Sequence, residues 1–159
     1  MNLKTIINII FPCFSMMAFS QVAYSDTYTI IHRANYYLQS MDPIARFDNC
    51  AAFHGDGMKC NLSGTESSAV MVIANKNKYA IFKIFGDNQY RHDTLLLGEY
   101  ALARAWWPGA TKADIYRMMS ILAEKARISG ESVMKFRNQL SGIEYSASSA
   151  SFYVQKQNP

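Results

Sequence analysis

The chain has 159 residues and a formal net charge of +4, from 16 Lys and Arg against 12 Asp and Glu. This excess is small and the basic residues are scattered, which argues against the dense basic stripe of a nucleic-acid-binding protein. It suits loose attraction to an acidic polymer such as peptidoglycan. The length is sufficient for one compact domain with a hydrophobic core.

The first part of the chain has the layout of a cleaved secretory signal. A lysine lies near the start, a mostly apolar run covers residues 5–19, and small side chains follow at Ala23 and Ser25. A retained membrane anchor is the alternative, but the run is shorter than the roughly 20 apolar residues that span a bilayer. We therefore expect cleavage near Ser25, removal of residues 1–25, and a periplasmic domain of residues 26–159.

Two cysteines remain after the predicted cleavage, because Cys13 leaves with the signal. In an exported chain, Cys50 and Cys60 are best explained as one disulfide. The segment between them is rich in glycine and polar residues, so we expect a loop with little structure of its own. His54 and Asp56 lie within this loop, but their spacing from the cysteines matches no usual zinc pattern. No metal site is predicted.

The next elements are a helix and a hairpin. Within residues 26–49, apolar residues recur at spacings of three and four, which predicts a helix that ends near Pro43, although a strand at residues 28–32 is an alternative. Residues 69–85 contain two β-rich runs, AVMVIA and YAIFKIF, around the polar link NKNK. This pattern predicts a β-hairpin.

The second half of the chain changes to helical spacing. Asp93 or Thr94 can cap a helix from Leu95 to Trp106, and Pro108-Gly109 ends it. The sequence Thr111-Lys-Ala-Asp114 resembles a capping box that opens a second helix. We expect a third helix at residues 130–141, capped by Ser129, and a short strand at residues 151–155.

The predicted fold is therefore α+β: a small single domain with a β-hairpin packed on two or three amphipathic helices, and one disulfide. The expected core consists of apolar residues from the hairpin and from the helices: Val70, Val72, Ile81, Ile84, Ile115, Met118, Leu122 and Phe136.

No pattern in the chain predicts catalysis. His32, His54 and His92 lie in separate segments, and the sequence has no nucleophile elbow, phosphate-binding loop or zinc-protease motif. His92 beside Asp93 is the best acid–base candidate, but adjacent side chains rarely face each other. Glu99 is expected on a solvated helix face, as is Glu124. We predict a protein that is not an enzyme and uses no cofactor.

Two adjacent tryptophans are the main binding candidates. Residues Trp106 and Trp107 at the end of one helix would be about 100° apart around its axis. They cannot both point inward from that helix, so we expect one of them to be partly exposed. An exposed tryptophan is a candidate contact for a sugar ring or a partner protein.

The order of elements over residues 79–155 resembles a LysM-type β-α-α-β unit, particularly that of the FimV-type pilus-assembly proteins. The matching residues are Asp93-Thr94-Leu95 at the start of the first helix, Pro108 in the turn, and the paired methionines 118 and 119 in the second helix. His92 stands where the family has glycine. The resemblance implies binding to peptidoglycan or to an envelope-spanning machine, with Asp93 and Thr94 near the glycan groove.

Two functional hypotheses follow from these patterns. The first is a non-enzymatic periplasmic accessory protein of type IV pilus or secretion-system biogenesis, which acts by protein–protein contact, with peptidoglycan as an additional candidate ligand. The second is an immunity or inhibitor protein against a periplasmic toxin enzyme. Neither hypothesis includes nucleic acid, or a membrane after signal cleavage, as a partner.

Overall fold

The computed structural model describes residues 27–74, 78–86 and 89–157. The predicted signal peptide lies outside these ranges. Helix α1 covers residues 27–39. The elements that follow are β1 (Arg46–Phe53), β2 (Gly57–Ser63), β3 (Ala69–Ala74), β4 (Tyr79–Phe85), α2 (Arg91–Trp106), α3 (Lys112–Ser129), β5 (Glu131–Phe136), β6 (Gln139–Tyr145) and β7 (Ser149–Lys156).

The strands form one antiparallel sheet of seven in the order β1-β2-β3-β4-β7-β6-β5. The predicted hairpin is its β3–β4 pair, with Met71 opposite Phe82. The last strand, β7, lies beside β4 and places Phe152 opposite Phe82. This long-range pair joins the meander before the two central helices to the meander after them. The α+β class and the disulfide are confirmed, whereas the sheet is larger than the predicted hairpin.

The helices cover one face of the sheet. Alternate residues on neighbouring strands point to this face, and those of the central row are all buried: Cys60, Met71, Phe82, Phe152, Ile143 and Ser132. Ile31, Ala34 and Leu38 of α1 are buried as well, which confirms the predicted stripe of the first helix.

Four predicted core residues are confirmed and four are not. Ile84, Ile115, Met118 and Leu122 are almost fully buried. Val70, Val72 and Ile81 are only half-buried because they point to the opposite sheet face, and Phe136 packs half-buried at the core's edge. Alternation along a strand defines two faces, but it does not say which face the helices will cover.

The segment around the disulfide was predicted to be a loop, and this prediction is wrong. Residues 46–63 form the β1–β2 hairpin, and the Cys50–Cys60 disulfide joins its two strands. The register shifts between Asp48 and Ala51, where Asn49 takes a positive φ of 48°. The bulge lies beside Cys50 on a strand at the sheet's edge, where bulges are common.

The predicted third helix is also wrong. Residues 131–145 form the β5–β6 hairpin, in which Val133 lies opposite Gly142. Ser129 is the last residue of α3 rather than the cap of a new helix, and Gly130 ends α3 in the left-handed conformation at φ 83°. A glycine in this conformation is a common helix stop.

Helix α3 begins as predicted. The Thr111 hydroxyl accepts a hydrogen bond from the Asp114 backbone N–H at 3.1 Å, and the Asp114 carboxylate accepts one from the Thr111 N–H at 3.2 Å. These two bonds complete a capping box. The pKa of Asp114 is lowered, first by the Thr111 side chain and then by the hydrogen bond from the Thr111 backbone N–H, because both interactions favour the charged carboxylate.

Candidate functional site

Both tryptophans at the end of α2 are buried. Trp106 is 8% exposed and Trp107 is 4% exposed. The prediction that one of them is exposed is wrong, because it assumed that both residues continue the helix. Trp107 is the C-cap residue and leaves the helix with φ −115° and ψ 73°. Because its backbone is not helical, the Trp107 side chain does not follow the roughly 100° spacing of the helix, and the two indoles are buried in different places.

The two indoles have different neighbours. The Trp106 Nε1–H donates a hydrogen bond to the Gln139 side-chain oxygen of β6, and Lys156 Nζ lies 5.4 Å from the Trp106 ring centroid. Trp107 packs edge-on against the Phe136 ring at 4.9 Å, and its buried Nε1 has no hydrogen-bond partner. Trp107 therefore packs α2 against the end of β5.

Trp106 also lines a surface cleft of about 260 Å³ between α1, the end of α2 and the end of β7. Its wall includes Ile30, Pro108 and two cationic residues, Arg33 and Lys156. In the part of the chain that the structure describes, neither cation has a carboxylate within ion-pair distance. Trp106 thus remains a candidate binding residue, because part of its side chain lines this cleft.

Asp93 and Thr94, the other predicted site residues, do not cap α2. The helix begins at Arg91 after Tyr90, without a side-chain capping bond. Asp93 is exposed in the first turn, whereas Thr94 is buried and does not present its side chain to a ligand. At 1.5 Å per residue, Asp93 lies about 20 Å along α2 from Trp106. The structure therefore does not bring the predicted site residues together.

Arg91 explains why the helix starts earlier than predicted. Its guanidinium donates hydrogen bonds to the carbonyl oxygens of Ser146, Ala147 and Ser149, in and beside the β6–β7 turn. The start of α2 is thus tied to residues more than 50 positions away. Residues close to Arg91 in the sequence give no indication of such a long-range contact, so the earlier helix start could not be predicted from them.

A row of four tyrosines crosses the helix layer. Tyr36 and Tyr37 of α1 meet edge-on at 5.3 Å, Tyr37 meets Tyr100 of α2 at 6.5 Å, and Tyr100 stacks on Tyr116 of α3 at 5.1 Å. The Arg104 guanidinium lies 4.6 Å from the Tyr37 ring centroid. The middle of this tyrosine row ties the three helices together. Its two ends are exposed, Tyr36 by 67% and Tyr116 by 42%.

A second cleft, of about 440 Å³, lies at the Tyr116 end of the row. We call it the Tyr116 cleft. It is lined by four apolar or aromatic side chains, one proline and two carboxylates: Met41, Leu96, Leu97, Tyr116, Pro43, Asp42 and Asp93. Asp93 is the one predicted site residue that lines it.

Glu99 is buried beneath α2, and the prediction that it lies on a solvated face is wrong. The residue is 1% exposed and its Oε1 atom has no hydrogen-bond partner. Burial raises the pKa of its carboxyl group to about 8, because the charged form loses its hydration. The pKa of Tyr145 is raised as well, first by burial and then by the charge of Glu99.

The described residues bring no acid–base pair or metal site together. His32 and His92 are exposed on α1 and α2, and His54 is exposed in the turn between β1 and β2. Across residues 27–74, 78–86 and 89–157, no three side chains of the metal-binding types lie close enough to hold an ion. Over the same ranges, no helix combines the length and the apolar character needed to cross a bilayer.

Comparison of the chain with protein-family models, with curated proteins and with solved structures finds no match. The resemblance to a LysM-type unit stays a prediction. In the structure, β4 and β7 pair antiparallel, α2 and α3 lie between them in the chain, and the β5–β6 hairpin stands where a helix was expected.

Proposed function

We propose that this protein is a non-enzymatic accessory protein of a cell-envelope assembly, exported to the periplasm, and that it acts by protein–protein contact. The observation that carries the proposal is the exposed apolar and aromatic surface around the Tyr116 cleft. Tyrosine and methionine are enriched where proteins meet, and contiguous exposed apolar surface is a common sign of a contact site. The disulfide supports an oxidising compartment outside the cytoplasm.

The assembly that we propose is a type IV pilus or a secretion system. This choice rests on the LysM-type resemblance over residues 79–155. The non-enzymatic role rests on the separation of the candidate acid–base residues, because a general base must lie within hydrogen-bond reach of the proton that it removes. In this chain His32 lies in α1, His54 in the turn between β1 and β2, and His92 in α2.

Site-specific photo-crosslinking in intact cells tests the proposal. A photoreactive phenylalanine analogue replaces Tyr116, and a matched control replaces Ile128, which is 84% exposed on the same helix. We expect position 116 to crosslink to one envelope-assembly protein and position 128 to give little of that product. Equal crosslinking from the two positions, or none from position 116, would contradict a contact at this surface.

The identity of the crosslinked protein separates the proposal from its alternative. A pilus or secretion component supports the envelope assembly. A hydrolase that forms a one-to-one complex with this chain and loses activity in it would replace the proposal with the immunity or inhibitor function.

Peptidoglycan is the second proposed ligand, and the cleft beside Trp106 is its candidate site. The two cations there, Arg33 and Lys156, form no ion pair among the described residues and suit the carboxylates of the peptidoglycan peptides. We expect purified sacculi to retain the protein, with weaker retention after Lys156→Ala or Arg33→Ala. Lys125→Ala, at an exposed position of α3, serves as the control. A failure of sacculi to retain the unmodified protein would remove the glycan part and leave the protein contact in place.

A further inference from the structure

We infer that the Tyr116 cleft binds a short apolar peptide segment that carries a lysine or an arginine. This inference rests on the proposed function, because it names the chemistry of the partner at the same surface. It combines three features of the described residues: the shape of the cleft, the exposure of its apolar walls and the state of its two carboxylates.

The cleft lies where three parts of the helix layer meet. Met41 and Asp42 follow the end of α1, Leu96 and Leu97 belong to the second turn of α2, and Tyr116 belongs to the second turn of α3. Its volume of about 440 Å³ falls within the range of ligand-sized pockets. An open cleft of this size admits a few side chains of a partner, so a short segment is a better fit than a broad flat interface.

The apolar walls are exposed without a covering element among the described residues. Met41 is 37% exposed, Leu96 is 36% exposed and Tyr116 is 42% exposed. Methionine is flexible and polarizable, which allows it to adapt to different apolar side chains. Tyr116 is held in place by its stack on the buried Tyr100, so it gives the cleft one rigid aromatic wall.

Two carboxylates give the cleft its charge. Asp42 Oδ1 accepts a hydrogen bond from the Ile44 N–H at 3.2 Å, which fixes the orientation of that side chain. Asp93 accepts no hydrogen bond from another described residue. Within the described ranges neither carboxylate forms an ion pair, since the pairs present are Arg46–Asp48 and Asp114–Arg137.

Charge complementarity therefore selects the occupant. Lys112 of α3 does not neutralise the two carboxylates: its ammonium group lies 5.5 Å from the Tyr116 ring centroid and forms no ion pair among the described residues. A lysine or arginine of a partner could contact Asp42 and Asp93 while its apolar neighbours pack on Leu96 and Met41. An acidic segment would meet two like charges at the same place, which is unfavourable.

Two fluorescein-labelled synthetic peptides test this inference with the purified chain. Both peptides carry the same leucine and phenylalanine pattern; one has lysines and the other has glutamates at the polar positions. We expect fluorescence anisotropy to show saturable binding of the lysine peptide and at least fivefold weaker binding of the glutamate peptide. Methyl NMR should show the Met41 resonance shifting with the lysine peptide.

The variant Asp42→Asn/Asp93→Asn separates charge from packing. Asparagine keeps an acceptor oxygen for the Ile44 N–H, so the turn should stay intact. We expect the lysine peptide to bind about fivefold to tenfold more weakly to this variant, as two partly exposed ion pairs would give. Glu124→Gln, which removes an exposed charge elsewhere on α3, should leave the affinity unchanged.

Three outcomes would overturn the inference: no saturable binding of the lysine peptide, equal binding of both peptides, or an unchanged affinity in the double variant. These outcomes leave the proposed function standing if position 116 still crosslinks to an envelope protein in cells. A failed crosslink with intact peptide binding would instead contradict the proposed function alone.

Discussion

A buried carboxyl group beneath α2 dominates the chemistry at the scale of single residues. Glu99 is enclosed between the helix and the sheet, and burial raises its pKa to about 8. A neutral carboxyl group is therefore the form that the folded protein holds near neutral pH. In the unfolded chain the same group has a pKa near 4.5 and is ionised above that value.

This difference predicts a pH-dependent stability. Between pH 4.5 and pH 8 the folded state binds one proton more than the unfolded state, so the free energy of unfolding falls as pH rises. The contribution of Glu99 is fully present below pH 4.5 and is lost by about pH 8, at a slope of at most about 1.4 kcal/mol per pH unit. Urea unfolding at several pH values measures this slope.

The substitution Glu99→Gln is the test of the assignment. Glutamine is close in shape and does not ionise, so we expect a flatter dependence of stability on pH between 5 and 8. Glu124→Gln removes an exposed carboxylate from α3 and should keep the slope of the unmodified protein. An unchanged slope in Glu99→Gln would show that another group causes the pH dependence.

The environment of a single residue could be predicted from the sequence only where it depends on residues a few positions away. The capping box of Thr111 and Asp114 lies within four positions and was found. Glu99 was misplaced because its burial depends on the sheet below α2. The expectation that one of the two tryptophans is partly exposed fails because the non-helical backbone of Trp107 lets both indoles be buried.

At the scale of elements, one glycine determines how closely α2 approaches the sheet. A Cβ atom added to Gly98 would lie 2.2 Å from the nearest Phe82 ring atoms. Phe82 is completely buried at the centre of β4, between Met71 and Phe152 on the neighbouring strands. Its ring has no room to move away, because the whole row beneath the helix is packed.

We therefore predict that Gly98→Ala destabilises the protein, although alanine favours a helix over glycine by about 1 kcal/mol. Crowding in a packed core typically costs about 1–3 kcal/mol, and a methyl group against an immobile ring should be at the upper end. Gly109→Ala is the control, since its added Cβ would meet only the Arg137 Nη1 atom at 3.4 Å. Thermal unfolding of the two variants should give a clearly lower Tm for Gly98→Ala alone.

The misassigned third helix shows why the element types were only partly predictable. Val133, Phe136 and Leu140 recur at spacings of three and four, which mimics a helical stripe. The structure places a two-residue turn inside this stripe, with Arg137 at φ 50° and Asn138 at φ 62°. Hairpin turns with two positive φ values usually carry Asn-Gly or Asp-Gly, so Arg-Asn gave a weak signal.

At the scale of the whole molecule, the α+β class and the single disulfide could be predicted from composition, spacing and the predicted export. The sheet order could not. It depends on β7 pairing with β4 across about 70 residues, with Ile84 opposite Ala150 and Ala80 opposite Val154. Hydrophobic alternation marks each strand, but it does not specify which strand becomes its neighbour.

The position of the disulfide in this sheet leads to a prediction for the whole fold. Cys50 lies on β1, the edge strand, and Cys60 lies on β2, ten residues later. Closing so short a segment contributes less than about 3 kcal/mol by chain entropy. The hydrophobic core under the helices extends from β2 to β7, so most of its packing does not depend on the bond.

We expect reduction to lower the stability without unfolding the protein. The hairpin pairs on both sides of the bulge, Phe47 with Leu62 and Ala52 with Met58, can hold β1 on the sheet after the bond opens. The variant Cys50→Ser/Cys60→Ala should show a Tm lower by several degrees and a near-UV circular dichroism spectrum close to that of the oxidised protein. Loss of the near-UV signal in mild reductant at 25 °C would contradict this expectation. It would mean that the fold depends on the disulfide-bonded edge hairpin rather than on the core beneath α2 and α3.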